Sequence, residues 1–403
     1  MNQIVSVNSS THPVPSMIRK ETVSIPFSVA LVVALGAITA TAHLGNNFTP
    51  YLIGGLIDLF GFSPLQMGVW SMVELLAYAA TMLFIAPHVV RLSPRRLALV
   101  AGVLIGAAQF SSSLLDSFIP LLVTRMACGL GFGLANTALN LTAARTDSPT
   151  RALSIGLAVQ TIVYTLINLA LPVVGTHHGT PGMFTMLAIL AVLFTIAGGS
   201  LLPDRPVAQH LQAPVQWNEL KSDGRIVLTA ISLFSFGSLA LWPFIERAAH
   251  EIGISAVTYG RYQSIATLAC AVSNTVFGIL APRIPRRRSL PVALLICGLS
   301  CAALTLISNE AGFAIALIVF NVSWLIAYPL ILSVAYQIDA GGRLAVLCSS
   351  AWIVNMAAGS LVTGAIAEWL GNYVLVGPLG LISCVGAFLL LRPLVHSRVG
   401  SGG

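Results

Sequence analysis

The chain has 403 residues, of which 56% are hydrophobic and only 8% charged. A soluble globular domain carries about a quarter charged residues, so a water-soluble fold of this length could not cover its surface, and lipid is the fitting solvent. The formal net charge of +7 would suit a nucleic-acid partner, but the basic residues stand between apolar runs, which excludes that reading.

Residues 1–24 are polar and contain Pro13, Pro15 and the pair Arg19–Lys20. They lack the apolar core and small-residue cleavage site of a secretory signal, and read as a cytoplasmic tail. Apolar runs long enough to cross about 30 Å of hydrocarbon then follow. They centre near Leu35, Leu76, Gly106, Gly131, Ile162, Leu190, Phe234, Leu268, Leu295, Val319, Met356 and Gly380. These twelve runs predict an all-α integral membrane protein with both termini on one side. A polar stretch with Pro206, Pro214, Lys221 and Asp223 divides them into two six-helix bundles, 25–203 and 225–395, joined by a cytoplasmic linker over 204–224. Residues 396–403 are expected to form a second cytoplasmic tail, ending in the glycine-rich run Gly400-Ser401-Gly402-Gly403.

Basic residues assign the sides, because cytoplasmic connections are enriched in Lys and Arg. Arg19 and Lys20 precede span 1; Arg91, Arg95 and Arg96 follow span 2; Arg145 and Arg151 follow span 4. Arg205, Lys221 and Arg225 lie between spans 6 and 7. Arg283, Arg286, Arg287 and Arg288 follow span 8, Arg343 follows span 10, and Arg392 and Arg398 end the chain. Of the 20 Lys and Arg residues, 17 therefore fall on one side, and only Arg125, Arg247 and Arg261 lie within spans or at their edges. Both termini are expected in the cytoplasm, and the bacterial inner membrane is the expected location.

Cys128, Cys270, Cys297, Cys301, Cys348 and Cys384 all fall within apolar runs, with no CxxC and no histidine at ligand spacing. They read as small packing residues, and no metal or cofactor is expected. The two halves echo each other. Ile85-Ala86-Pro87 leads to Pro94-Arg95-Arg96 after span 2, and Leu280-Ala281-Pro282 leads to Pro285-Arg286-Arg287 after span 8. A repeated six-helix unit is how many transporters build a midplane site between two rocking bundles.

The stretch Gly278-Ile279-Leu280-Ala281-Pro282-Arg283-Ile284-Pro285-Arg286-Arg287 resembles the cytoplasmic loop signature G-x-L-A-D-R-x-G-R-R of the major facilitator superfamily. Pro282 and Pro285 stand where that signature has Asp and Gly, and the copy after span 2 has one extra residue and Val90 at the Asp position. Arg125-Met126-Ala127-Cys128-Gly129-Leu130-Gly131-Phe132-Gly133 resembles the R-x-x-x-G-x-G motif of span 4. The resemblance extends over nearly the whole chain. It implies gating loops containing Arg91, Arg95, Arg96, Gly278, Arg283, Arg286 and Arg287. It also implies an Arg125 that faces a central cavity, lined by spans that include 1, 4, 5, 7, 10 and 11. Span 5, from Gly156 to Pro172-Val173-Val174-Gly175, lacks the G-P-x-x-G-G motif of the family's drug/proton antiporters.

Ionisable groups within hydrocarbon are costly and mark functional positions. Arg125 lies near the external end of span 4, with Asn136 eleven residues on and on nearly the same helical face. Glu74 is in the middle of span 2 between Trp70 and Tyr78, and a structural Glu–Arg pair is the competing role for it. Glu246, Arg247 and His250 cluster in the outer part of span 7 behind Trp242 and Pro243. Polar stripes recur at helical spacing: His43, Asn46, Asn47 and Tyr51; Gln160, Tyr164 and Asn168; Asn321, Trp324 and Tyr328; Trp352 and Asn355. Either a wet cavity or glue between helices would use such stripes. His177 and His178 read as an exposed external pair.

The function expected is a monomeric secondary transporter that moves a small organic solute by alternating access, coupled to protons. Arg125 would anchor an anionic or zwitterionic substrate, and Glu74, Glu246 or His43 would carry the proton. Drug or metabolite efflux by proton antiport is the alternative. No HExxH, GxSxG, paired intramembrane aspartates or large cytoplasmic domain supports an enzyme.

Overall fold

The computed structural model of the chain describes residues 25–85, 88, 92–202, 204, 220–280, 284–339 and 343–397. Of the expected features, residues 1–24, 398–403 and most of the linker lie outside these residues, as do Arg91 and Arg283, and the first two residues of the expected C-terminal tail continue the last helix.

Twelve helices account for nearly all of the described chain. They are α1 Val29–Phe60, α2 Pro64–Ile85, α3 Pro94–Ser112, α4 Phe118–Ala143, α5 Pro149–Phe194 and α6 Ser222–Ser238. There follow α7 Ile245–Glu251, α8 Ala256–Leu280, α9 Arg286–Leu306, α10 Glu310–Ile338, α11 Arg343–Leu370 and α12 Val376–Ser397. Local chemistry sets their ends. The Ser28 hydroxyl accepts from the Leu31 amide at the start of α1, and the Asn309 side chain caps α10 by accepting from the Gly312 amide at 2.8 Å. Gly61 ends α1 with φ of 65°, a left-handed conformation that glycine adopts without penalty.

The helices do not correspond one-to-one with the sequence spans. Spans 5 and 6 run together as α5, broken only at Gly179, where φ is 64°. Span 7 is split: α6 stops at Ser238, a short 3-10 turn covers Trp242–Phe244, and α7 resumes at Ile245. Pro243, which has no amide hydrogen to continue the ladder, lies within the interruption. Nine helices of the described residues are long and apolar enough to cross a membrane.

Helices α1–α5 pack chiefly on one another, as do α6–α12. The two groups meet where α2 lies along α11, α5 along α8, and α1 against the turn before α7. Glycines permit the closest crossings. A Cβ on Gly68 of α2 would stand 2.7 Å from the Ser360 carbonyl oxygen of α11, and one on Gly364 would stand 2.5 Å from the Pro64 carbonyl oxygen. In lipid, where helix association depends on close van der Waals contact, small residues at crossings take the place that hydrophobic burial holds in water.

The hydrogen bonds between the groups gather at one end. Leu65 donates its amide to Glu368, Ser264 donates to the Thr165 carbonyl, the Asn168 amide donates to Thr267, and Trp242 donates to the Asn46 carbonyl. All these lie in the later halves of α1 and α11, in the part of α5 before the Gly179 break, in the earlier halves of α2 and α8, or in the turn before α7. We call that end, where α1 finishes and α2 begins, the far end.

Candidate functional site

The most heavily built polar cluster lies at the meeting of α1, α2 and α4. Arg125 and Glu74 are 1% and 2% exposed, and Arg125 Nε stands 2.8 Å from Glu74 Oε2. The contact lies off the line of a good hydrogen bond, so charge rather than directed bonding holds the pair. Arg125 Nη2 donates to the Thr49 hydroxyl, and the guanidinium lies 3.8 Å above the Trp70 ring centroid. Trp70 is itself fixed by donating its indole N–H to the Leu121 carbonyl at 3.2 Å.

The backbone is shaped around this pair. A Cβ on Gly45 of α1 would strike the Phe132 ring and stand 2.6 Å from Glu74 Oε2, and one on Gly129 would meet the Glu74 carbonyl oxygen. Both glycines thus admit a carboxylate and a guanidinium between three tightly packed helices. Removing one member would leave the other as an unpaired buried charge, costing about 3–5 kcal/mol.

A second polar group lies on α1 and α5. His43 Nδ1 is 3.0 Å from the side-chain amide of Gln160, at Oε1. The Tyr164 hydroxyl donates to the Ala40 carbonyl at 2.6 Å, and its ring meets Phe48 edge-on. Asn47 bonds the His43 carbonyl of its own helix. Asn136 is not part of the Arg125 cluster; its amide contacts Met82 Sδ at 3.3 Å.

The opposing group of helices supplies aromatics. Trp324 stacks on Tyr328 with centroids 5.3 Å apart and 9° between planes, and on Phe234 at 6.1 Å. Trp352 closes the set edge-on to both Trp324 and Tyr328. Asn355 bonds the Ala351 carbonyl within α11.

Glu246 is separate from all of these. It is buried on α7 against α1, while its neighbour Arg247 reaches Asp58 at 2.7 Å. Of the loop positions, Arg95 and Arg287 are exposed, and Arg96 makes a loose 3.7 Å contact with exposed Asp204. Gly278 and Arg286 lie within α8 and α9. Two surface recesses, of about 360 Å³ near Arg247 and Tyr373 and about 580 Å³ near Phe110 and His178, touch neither the Arg125 pair nor the aromatic set.

Sequence reasoning missed Thr49 and Asp58. Thr49 also bonds the Gly45 carbonyl of its own helix, as threonines in lipid commonly do, so its type carries no signal. Asp58 lies 189 residues from Arg247, and only the approach of α1 to α7 joins them.

Comparison with known families settles the lineage. The Major Facilitator Superfamily profile matches residues 32–345, more than three quarters of the chain. The chain belongs to this superfamily. Among solved structures, a mutant of the nucleoside transporter NupG superposes with a TM-score of 0.70 at 13% identity, over 91% of this chain and 99% of that one. A D-xylose-proton symporter gives the same score and identity over 89% and 96%. The comparison with curated proteins found no match. The fold is therefore that of this family of membrane transporters.

Proposed function

We propose that this chain is a proton-coupled secondary transporter carrying a small anionic or zwitterionic organic solute by alternating access. The carrying observation is the buried Arg125–Glu74 pair. A guanidinium so enclosed is electrically satisfied by Glu74, so a substrate anion can take it only if Glu74 releases it. A proton on Glu74 does that: it neutralises the carboxylate and leaves Arg125, still cradled by Thr49 and Trp70, seeking a new counter-ion. Substrate and proton then bind together, which is the stoichiometric link a symporter needs. One structural neighbour is described as a D-xylose-proton symporter, which agrees with proton coupling in general.

The helix pattern supports twelve crossings. Nine helices qualify by length and apolarity, the break at Gly179 makes two of α5, and α3 and α8 are long enough but carry arginines and polar residues. The arginine distribution puts both termini in the cytoplasm, which makes the far end external. The conformer is then the one sealed towards the outside. His43–Gln160 on one side and Trp324, Tyr328 and Trp352 on the other would line the inward-facing path, with the protein working as a monomer in the bacterial inner membrane.

The aromatic set favours a second reading, because stacked rings also accept organic cations; proton antiport of such a solute is the alternative. A thermal-shift screen separates the two. An organic acid that raises Tm of the native protein but not of Arg125→Ala, by mass action, supports the symport of an anion. Stabilisation of both by bulky cations overturns it in favour of efflux. In proteoliposomes, substrate should acidify the lumen in symport and alkalinise it in antiport.

A further inference from the structure

Glu246 is 4% exposed, and its Oε2 has no hydrogen-bond partner among the described residues. It lies on α7 at the inter-bundle seam, pressed against Gly54 of α1: a Cβ at position 54 would overlap Oε2 and stand 3.3 Å from Oε1. The groups facing it are few. From α1 come Tyr51 and Asp58, from its own helix Arg247, from α8 Tyr259, and from the turn after α11 Tyr373. Arg247 lies close enough for its charge to act on Glu246 but forms no ion pair with it among the described residues. That guanidinium is held by Asp58 at 2.7 Å, the Gly54 carbonyl at 3.4 Å and His250 Nδ1 at 3.3 Å. The Tyr51 hydroxyl donates instead to Asn168 at 3.1 Å, and the Tyr259 hydroxyl is itself buried without a partner.

An ionised carboxylate with an unsatisfied oxygen, enclosed between two tyrosines and a glycine backbone, is far more costly than a protonated one. The same side chain loses that enclosure when α1 and α7 part, because Gly54 is what covers it. We propose that Glu246 is a proton-binding site of the inter-bundle seam, separate from Glu74, and that the seam closes only with a proton on this carboxyl. The proton comes from the water of the open outer vestibule and returns to it on opening. Nothing is oxidised and no bond other than O–H forms or breaks. Glu74 would thus couple the proton to substrate, whereas Glu246 would make closure of the outer gate itself proton-dependent. The inference rests on the alternating-access reading above, but its test needs no substrate.

Spin labels at Leu114→Cys and Leu375→Cys, exposed positions in the far-end turns of the two bundles, report the opening of the seam; the six native cysteines are all buried. The distance distribution is measured by pulsed electron paramagnetic resonance on purified protein in nanodiscs, from mildly acidic to mildly basic pH. The open fraction of the native protein should rise with pH by at most about tenfold per pH unit, the limit for one linked proton. Glu246→Gln mimics the protonated carboxyl and should stay closed at every pH, whereas Glu74→Gln should keep the native pH response. Glu246→Leu, which cannot ionise, should likewise lose the pH response, which provides a second route if the glutamine variant does not fold. A pH response that survives Glu246→Gln or Glu246→Leu, or a native protein without one, would overturn the proposal. If the gate responds as stated while proteoliposomes show no proton-linked flux, the latch stands and the symport reading fails.

Discussion

Replacing Arg125 by methionine tests whether the α2–α4 pair is a true ion pair in its energetics. The variant keeps much of the volume but removes the 2.8 Å contact with Glu74, the bond to Thr49 and the stacking on Trp70. If Glu74 stays ionised, it becomes a buried charge with no partner, and the loss is about 3–5 kcal/mol. If Glu74 takes a proton, only the Thr49 bond and the cation–π contact are lost, together about 1–3 kcal/mol. The folded variant then binds a proton that the unfolded chain releases at neutral pH. Stability falls with rising pH wherever the folded state holds more protons than the unfolded one, so the damage should grow from acid to base. Adding Glu74→Gln removes the stranded charge, and the double variant should regain about 2–3 kcal/mol and lose the pH dependence. Thermal and denaturant unfolding in detergent, followed by intrinsic fluorescence across pH, reads all three proteins. Additive losses in the double variant, or a pH-independent loss in Arg125→Met, would refute the reasoning.

Gly68→Ala places a methyl 2.7 Å from the Ser360 carbonyl of α11, and overpacking of about 1–3 kcal/mol acts only on the closed seam. The open conformer should gain on the order of tenfold, readable with the same spin-label pair. Asp58→Asn frees Arg247 from a partner that is 59% exposed, so opening should rise by less than about 1 kcal/mol and the effect should shrink in high salt. His43→Ala and Gln160→Ala each break one contact of 3.0 Å. Both should slow transport in proteoliposomes, and the double variant should be no slower than the worse single one. Trp324→Ala removes two stacked partners and should weaken solute binding by on the order of tenfold in a titration, with Arg125→Ala selective for charged solutes instead.

Composition and the spacing of apolar runs were enough to identify a membrane protein made of helices, because lipid leaves a backbone no other way to satisfy its amides in an open chain. The R-x-x-x-G-x-G run and the arginine-rich loops were enough to indicate the superfamily, which the family match then showed. Local residues marked particular positions without deciding them: Pro243 stands in the interruption of span 7, where its nitrogen has no proton to donate, yet Pro50 and Pro329 sit within unbroken helices. Glu74 and Arg125 were legible one by one, as charges set in apolar runs that lipid does not tolerate unpaired. A Glu–Arg pair was one role open to Glu74, but the sequence did not choose it or its partner, because a whole helix and its turns separate Glu74 from Arg125 and either could have faced a cavity alone. The packing of α2 on α4 across Gly129 decided that they meet. The same holds for Glu246. The sequence made it a candidate proton carrier beside an arginine in the outer part of span 7, and the approach of α1 through Gly54 set Arg247 against Asp58 and left the carboxyl enclosed. Period and polarity act within one helix, and sequence carries them directly. Which charge a buried group finds depends on contacts between helices distant in the chain, and only the tertiary structure brings those together.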